Sequence, residues 1–270
     1  MLTRRSTGRQ KRGAFGSLRS AAPVTAGVSA MITCKLTGKE GPPVKAHIVP
    51  ESFYELPPQS DGPYQLITNT PGKYPKKLPI GIYDNTIVTR DGEDRFGPWD
   101  NYACELLLKR FDEFVPINHE NKIIAWQMCG TDYAMMKLFA LSVLWRAHAS
   151  SQPAFSKVDL GPHEPKIRAH LLQENPGSEE EYSVCIVRWI DDGFGPVVMD
   201  PFRERYEGVN YYRIYCGRYV LYVKADQMNT GKSFKDMQLA PDRDLFLIAR
   251  ELKSSKEWPL MKRMMRENAR

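Results

Sequence analysis

Residues 131–148, TDYAMMKLFALSVLWRAH, constrain the fold of this chain more than any other stretch. Asp132 is a suitable N-cap, because a short polar side chain can accept a hydrogen bond from the first helical turn. Beyond it, apolar side chains point in every direction around the helix and leave little polar surface. A helix that is hydrophobic all round must be buried. We therefore predict a central buried helix with the rest of the chain packed around it.

Composition allows such a core and limits the class of protein. The chain has 270 residues, of which 42% are hydrophobic, enough for one large core or two modest ones. No run approaches the roughly 18 apolar residues that a membrane span needs, so we expect no membrane partner. The five cysteines are scattered and odd in number, which favours a reducing, cytoplasmic setting over a disulfide framework.

The first 30 residues are rich in Arg, Gly and Ser, and the first 29 carry no acid. We predict a disordered basic tail over residues 1–30, since its glycine and proline content disfavours an amphipathic presequence. Part of the net charge of +6 comes from this tail. A basic tail is compatible with contacts to DNA or RNA, and equally with a solvated leader.

Hydrophobic periodicity predicts an α+β fold. A small ββα module over residues 31–127, containing a long proline-rich loop, packs on a helical middle. An antiparallel sheet and C-terminal helices follow, and we expect residues 128–270 to form one continuous globule with the module. Besides the central helix, we predict helices over 99–114, 162–173 and most of 242–270. The main predicted strands lie at 31–34, 44–47, 115–127, 182–190, 196–199, 210–215 and 219–224.

The N-terminal module contains the spacing of a metal knuckle without its thiols. Cys34 is followed three residues later by Thr37, where a Cys-x-x-Cys turn would have its second cysteine. Thr89 and Gly92 stand at the same separation after the next strands. Four thiolates around one Zn²⁺ would stabilise so small a module. With Cys34 as the only thiol remnant, structural zinc is not expected.

Three segments now carry a resemblance: CKLTG from Cys34, KAHIVPESFY from Lys45, and KLFALSVLWRAHASSQPAFSKVDLGPHEPKIR over residues 137–168. The chain resembles the HNH endonuclease superfamily, in particular bacterial and phage-associated HNH-like proteins. The resemblance implies a ββα-metal fold, binding or hydrolysis of nucleic acid, and Mg²⁺ or Mn²⁺ as cofactor. It also implies that His47 is the general base that activates water.

In that family, a metal ligand often directly precedes the base, but this chain has Ala46 there. The other ligands come from the helix after the second knuckle, where the carboxylates of Glu93, Asp94 and Asp100 suit a hard cation. The same acidic residues are also compatible with an ordinary solvated turn. His47 itself has two interpretations, a catalytic base or a histidine retained to stabilise the strand.

Two pairs of basic residues are candidates for nucleic-acid contacts. Arg146 and His148 end the central helix, where they would either cap its carbonyls or face a phosphate. Arg213 and Arg218 lie among strand tyrosines, as in single-strand binders or in a plain half-buried sheet. The functional alternatives are an HNH-like endonuclease and a catalytically inactive protein on the same scaffold that binds a protein partner.

Overall fold

The computed structural model describes residues 31–54, 64–67, 76–78, 81–190 and 197–268. The predicted tail over residues 1–30 and most of the proline-rich loop lie outside the described residues. The described strands are β1 (Ile32–Thr33), β2 (Glu40–Gly41), β3 (Ala46–His47), β4 (Tyr64–Ile67), β5 (Lys76–Leu78), β6 (Tyr83–Asp84), β7 (Val115–His119), β8 (Lys122–Met128), β9 (Val184–Trp189), β10 (Val197–Met199), β11 (Phe202–Tyr206), β12 (Val209–Cys216), β13 (Tyr219–Lys224) and β14 (Leu245–Arg250). The described helices are α1 (Arg90–Cys104), α2 (Tyr133–Ala149), α3 (Glu164–Gln173), α4 (Lys232–Lys235) and α5 (Glu257–Asn268).

Seven of the described strands form one sheet, in the order β11-β12-β13-β9-β14-β8-β7. Strand β14 runs parallel to β9, and the other neighbouring pairs are antiparallel. The predicted α+β class is confirmed. The sheet differs from the prediction because it is mixed, and because β7 and β8 join the same layer as the later strands.

The predicted C-terminal helix is wrong over Leu245–Arg250, which forms β14. Leu245 and Leu247 are buried while Phe246 is less so, the two-residue alternation of a strand. Pairing with β8 on one side and β9 on the other satisfies its backbone groups. The helical part of the tail is α5, with Pro259 in its first turn, where the missing N–H removes no helical bond.

Helix α2 is the central buried helix that the sequence predicts. The Asp132 carboxylate caps it by accepting from the Met135 N–H at 3.0 Å. Every side chain from Met136 to Ala147 is buried, with α1, α3 and β13 packed against the helix. Polar side chains on this stretch must therefore find partners inside the protein.

Helix α1 begins at Arg90, well before the predicted start at Trp99. Gly97 and Pro98 lie inside the helix and obscure its pattern in the sequence. Phe96, Trp99 and Ala103 nevertheless share a buried face, so packing compensates for the helix-breaking residues. A π-helical turn, Glu105–Lys109, continues the helix.

Short strand pairs build the N-terminal region. The turn after β1 closes onto β2, and β3 pairs with β6. Strand β4 lies between β5 and β10. Buried residues of this region belong to the same hydrophobic cluster as those of the large sheet, so the two predicted regions share one core.

Candidate functional site

The candidate site is the ββα unit made by β3, β6 and α1. His47 on β3 lies opposite Tyr83 on β6 in an antiparallel pair. After β6 the chain bends at Asp84, whose carboxylate accepts from the N–H and hydroxyl of Thr86 at 2.8 and 2.7 Å. Helix α1 then begins at Arg90. The order of strand, strand and helix is the one that the resemblance implies, with His47 on its first strand.

The structure brings the four knuckle positions together. The Thr37 N–H donates to the Cys34 thiol sulfur at 3.5 Å. A Cβ atom built on Gly92 would lie 2.7 Å from the same sulfur, so Gly92 packs directly against the thiol. Burial raises the pKa of Cys34, but hydrogen bonds from Thr37 and from the Thr89 backbone outweigh it and leave the pKa lowered.

These residues do not fit a structural Zn²⁺ ion. Zinc sites of this kind use four thiolate or imidazole ligands at about 2.0–2.3 Å. Here one thiol faces two threonines and a glycine backbone that fills the space beside the sulfur. Buried Cys34 and Leu36 pack into the hydrophobic core instead. The knuckle geometry is therefore held by hydrogen bonds and apolar packing.

His47 lies at the edge of the unit beside a carboxylate that the sequence prediction missed. Its Nε2 atom is 3.6 Å from Glu51 Oε2, at i,i+4 spacing, and its side chain is 16% exposed. The Tyr83 ring packs edge-on against the imidazole, with ring centroids 6.0 Å apart. The imidazole is therefore mostly buried, while Glu51 remains half exposed.

Asp100 forms a bidentate ion pair with Arg146, which projects from α2. The two carboxylate oxygens accept from Nη2 and Nη1 at 2.7 and 2.8 Å. Arg146 Nη1 also donates to the His47 carbonyl oxygen at 2.8 Å, and Ser142 accepts the remaining hydrogen bonds from Nε and Nη2. The guanidinium is fully buried and stacks 4.7 Å from the Phe96 ring centroid. Each of its N–H groups therefore has an acceptor within the protein.

Of the other predicted metal ligands, Glu93 interacts electrostatically with both Arg146 and Asp100, whereas Asp94 lies on the exposed side of α1. Burial raises the pKa of Glu93, against the opposing effect of Arg146. Burial likewise raises the pKa of Asp100 despite the adjacent guanidinium. Asp94 is 65% exposed and pairs with Arg90 at 3.7 Å. In the described part of the chain, no three His, Cys, Asp or Glu side chains are grouped so that they could hold a metal ion.

This arrangement does not fit Mg²⁺ or Mn²⁺. A divalent cation on Asp100 would lie beside a guanidinium that already occupies both carboxylate oxygens. A divalent cation and a guanidinium bound to the same buried carboxylate would repel each other strongly. Arg146 therefore supplies the positive charge that neutralises Asp100.

The predicted nucleic-acid contacts are mostly inside the protein. Arg146 and Arg213 are 0% and 1% exposed, and Arg213 pairs with Glu204 and Glu257. His148 is partly buried, and its Nδ1 lies 3.3 Å from the Leu160 N–H. Arg218 is partly exposed in the turn between β12 and β13. In this conformation, the two buried guanidinium groups cannot reach a phosphate.

Two further buried charged residues, one of them outside the ββα unit, escaped the sequence prediction. Asp84 is buried, and its Oδ2 accepts from the hydroxyls of Ser150 and Ser151 at 2.9 Å each. Lys137 is fully buried on α2. In the sequence, Asp84 precedes Asn85 in a pair typical of turns, and Lys137 lies inside an apolar helix, so only the burial of a charge in the structure distinguishes them.

The search of protein-family models, curated proteins and solved structures finds no match to this chain. The resemblance to the HNH superfamily therefore stays a prediction from the sequence. None of the helices in the described ranges combines the length and the apolar composition needed to cross a membrane.

Proposed function

We propose that this chain is an HNH-like, nucleic-acid-interacting protein whose ββα unit is a scaffold without a catalytic metal. The observation that carries the proposal is the bidentate pair of Arg146 with Asp100, closed by the His47 carbonyl oxygen. The net charge of +6 supports an electrostatic attraction to DNA or RNA. The alternative interpretation of the sequence was an inactive scaffold with a protein partner, and the site geometry favours its inactive scaffold.

The physical reason is that a guanidinium neutralises charge but cannot perform the chemistry of a metal. It binds no water as a ligand and does not lower the pKa of one, as a Lewis acid does. Its covalent attachment to α2 also keeps it in place at every metal concentration. The unit therefore keeps its shape through Arg146 and loses the group that would stabilise the leaving oxygen.

A cleavage assay tests this proposal. Supercoiled plasmid, single-stranded DNA and RNA are incubated with the protein in Mg²⁺, Mn²⁺ or EDTA. We expect no difference in cleavage between these conditions. Cleavage that needs a divalent metal and disappears in His47→Ala would overturn the scaffold proposal.

Thermal unfolding provides a second test. Because hydrogen bonds and packing replace the knuckle metal, we expect the same Tm in EDTA as in buffer with added Zn²⁺. A fall of several degrees in EDTA would indicate a bound metal that stabilises the native state.

The endonuclease remains a second candidate because of one contact, the 3.6 Å approach of Glu51 to His47 Nε2. His47 would then take a proton from water, with Glu51 orienting the ring. This candidate predicts that Glu51→Gln weakens nicking and that His47→Ala abolishes it, both in folded protein.

A further inference from the structure

A pocket of about 300 Å³ lies between the β11–β13 end of the sheet and the segment that joins β14 to α5. Its volume is at the lower end of the range for small-molecule sites. The lining residues used below are Tyr206, Arg213, Tyr222, Phe234, Arg250 and Lys256. None of the ββα residues lines it.

One wall of the pocket is aromatic. The Phe234 ring centroid lies 5.1 Å from that of Tyr206 and 5.3 Å from that of Tyr222. Phe234 and Tyr222 are buried, and Phe234 packs against both Tyr222 and the partly exposed Tyr206. An aromatic ring that packs on a second ring and lines an open pocket is a suitable platform for stacking a planar group.

The cations at the pocket outnumber the carboxylates. Arg213 is paired with Glu204 and Glu257, and Lys256 shares Glu204 at 2.6 Å. Arg250 donates to the Tyr222 hydroxyl at 2.8 Å and makes no ion pair with any carboxylate in the described ranges. Three cations therefore face two carboxylates, and Arg250 is the group whose charge is left uncompensated.

The N-terminal end of helix α5 adds to the positive potential at the pocket. Lys256 immediately precedes α5, whose 12 residues begin at Glu257. The N-terminal end of a helix carries partial positive charge, which favours anions nearby. The pocket thus combines a stacking platform with an electropositive rim.

We propose that this pocket binds one nucleotide unit, with the base stacked on Tyr206 and the phosphate held by Arg250 and Lys256. A ligand that joins a planar ring to an anion can use both the aromatic wall and the cations, whereas a ring or an anion alone can use only one of them. The site goes beyond the proposed scaffold function, because it uses neither His47 nor the Arg146 pair. The nucleotide comes either free or as the end of a single strand.

The test is isothermal titration calorimetry of the full chain in EDTA, with adenosine 5′-monophosphate as the probe. We expect saturable one-site binding, and binding at least about tenfold weaker for adenosine or inorganic phosphate, since each keeps only half of the contacts. Failure here leaves the scaffold proposal standing, because cleavage and chelator response are measured separately.

Substitutions in the pocket lining test whether the nucleotide binds at this pocket. Arg250→Gln should weaken binding by about tenfold, the loss of one charge-assisted hydrogen bond. Tyr206→Leu should weaken it while Tyr206→Phe retains it, because phenylalanine keeps the stacking face. Arg205→Gln is the matched control, an exposed arginine on β11 outside the pocket lining. Circular dichroism verifies that each variant is folded.

A 5′-phosphorylated single-stranded oligonucleotide separates the two sources. Competition with adenosine 5′-monophosphate indicates a strand end, and absence of competition indicates a free nucleotide. The proposal is overturned if the folded protein does not bind the mononucleotide. It is also overturned if inorganic phosphate binds as tightly, or if Arg250→Gln binds as well as Arg205→Gln.

Discussion

At the scale of single residues, Arg146 is held by partners that satisfy its whole guanidinium, and Asp100 supplies the only carboxylate among them. A buried charge that loses its partner is far more costly than one exposed to water. The pair therefore matters to the stability of the native state whatever its role in function.

We predict that Asp100→Ala lowers the free energy of unfolding by about 3–5 kcal/mol, because the buried guanidinium loses the carboxylate that is hydrogen-bonded to it. Asp94→Ala, on the exposed side of the same helix, should change it by about 0.5 kcal/mol or less. Urea denaturation at pH 7 measures both. A loss below about 1 kcal/mol for Asp100→Ala would contradict a tightly closed ion pair.

The buried carboxyl of Asp84 should make the stability of the protein depend on pH. Hydrogen bonds from Thr86 and Ser151 hold the pKa of this carboxyl well below its usual range, although burial acts in the opposite direction. Because the folded pKa lies below the unfolded one, the carboxylate stabilises the protein above about pH 4 and loses that effect as pH falls.

The measurement compares wild type with Asp84→Asn in urea from pH 7 down to pH 3. We expect a stability difference of about 3 kcal/mol at pH 7. The difference should be constant above about pH 5 and shrink below it. A difference that is independent of pH would mean that Asp84 is not ionised in the native state.

At the scale of elements, Lys137 connects α2 to the loop before β9 through hydrogen bonds. Its Nζ donates to the Tyr133 hydroxyl at 3.0 Å, to the Glu181 carbonyl oxygen at 2.6 Å and to the Ser178 carbonyl oxygen. Tyr133 in turn donates to the Gly177 carbonyl oxygen at 3.1 Å. A short loop is thereby fastened to the central helix by a buried amine.

Burial lowers the pKa of Lys137 to about 7. The unfolded chain, with a pKa of about 10.4, then binds one more proton than the folded chain between these values. Stability due to this residue should therefore rise by about 1.4 kcal/mol per pH unit from pH 7 to 10. Comparing wild type with Lys137→Met in urea isolates the effect, and Lys166→Met at an exposed position of α3 is the control. Parallel pH profiles for wild type and Lys137→Met would contradict it.

At the scale of the whole molecule, the large sheet ends in an exposed apolar hairpin. Strand β7 is the edge of the sheet, and Val115, Ile123 and Ile124 on β7 and β8 are 58%, 39% and 47% exposed. Edge strands with apolar side chains can pair with other chains.

We expect Ile124→Lys to reduce self-association at high protein concentration and to change stability by no more than about 0.5 kcal/mol. Static light scattering over a concentration series measures the association. Lys122→Ile, which adds an apolar residue to the same hairpin, should act in the opposite direction. Equal scattering by all three proteins would show that the hairpin does not mediate association.

Local pattern was enough to predict several elements of this molecule. Helix α2 was predicted correctly because the two signals for it, an N-cap at Asp132 and apolar side chains all around the helix axis, lie next to each other in the sequence. The pair of Tyr-rich strands β12 and β13 was found for the same reason. The knuckle positions were predicted from the equal spacing of Cys34 to Thr37 and of Thr89 to Gly92, although three of these four residues carry no thiol.

Other features depend on partners distant in sequence, and local pattern could not reveal them. Strand β14 was predicted as helix because its local sequence gives no sign of its partners β8 and β9, which lie on either side of it in the sheet. Arg146 was predicted to cap the end of the central helix or to face a phosphate, but it pairs with Asp100, a carboxylate 46 residues away on another helix. Arg213 likewise meets Glu257 across 44 residues. Whether a charged side chain faces water or a buried counter-charge depends on which elements pack together, so packing determined that the ββα unit encloses an arginine.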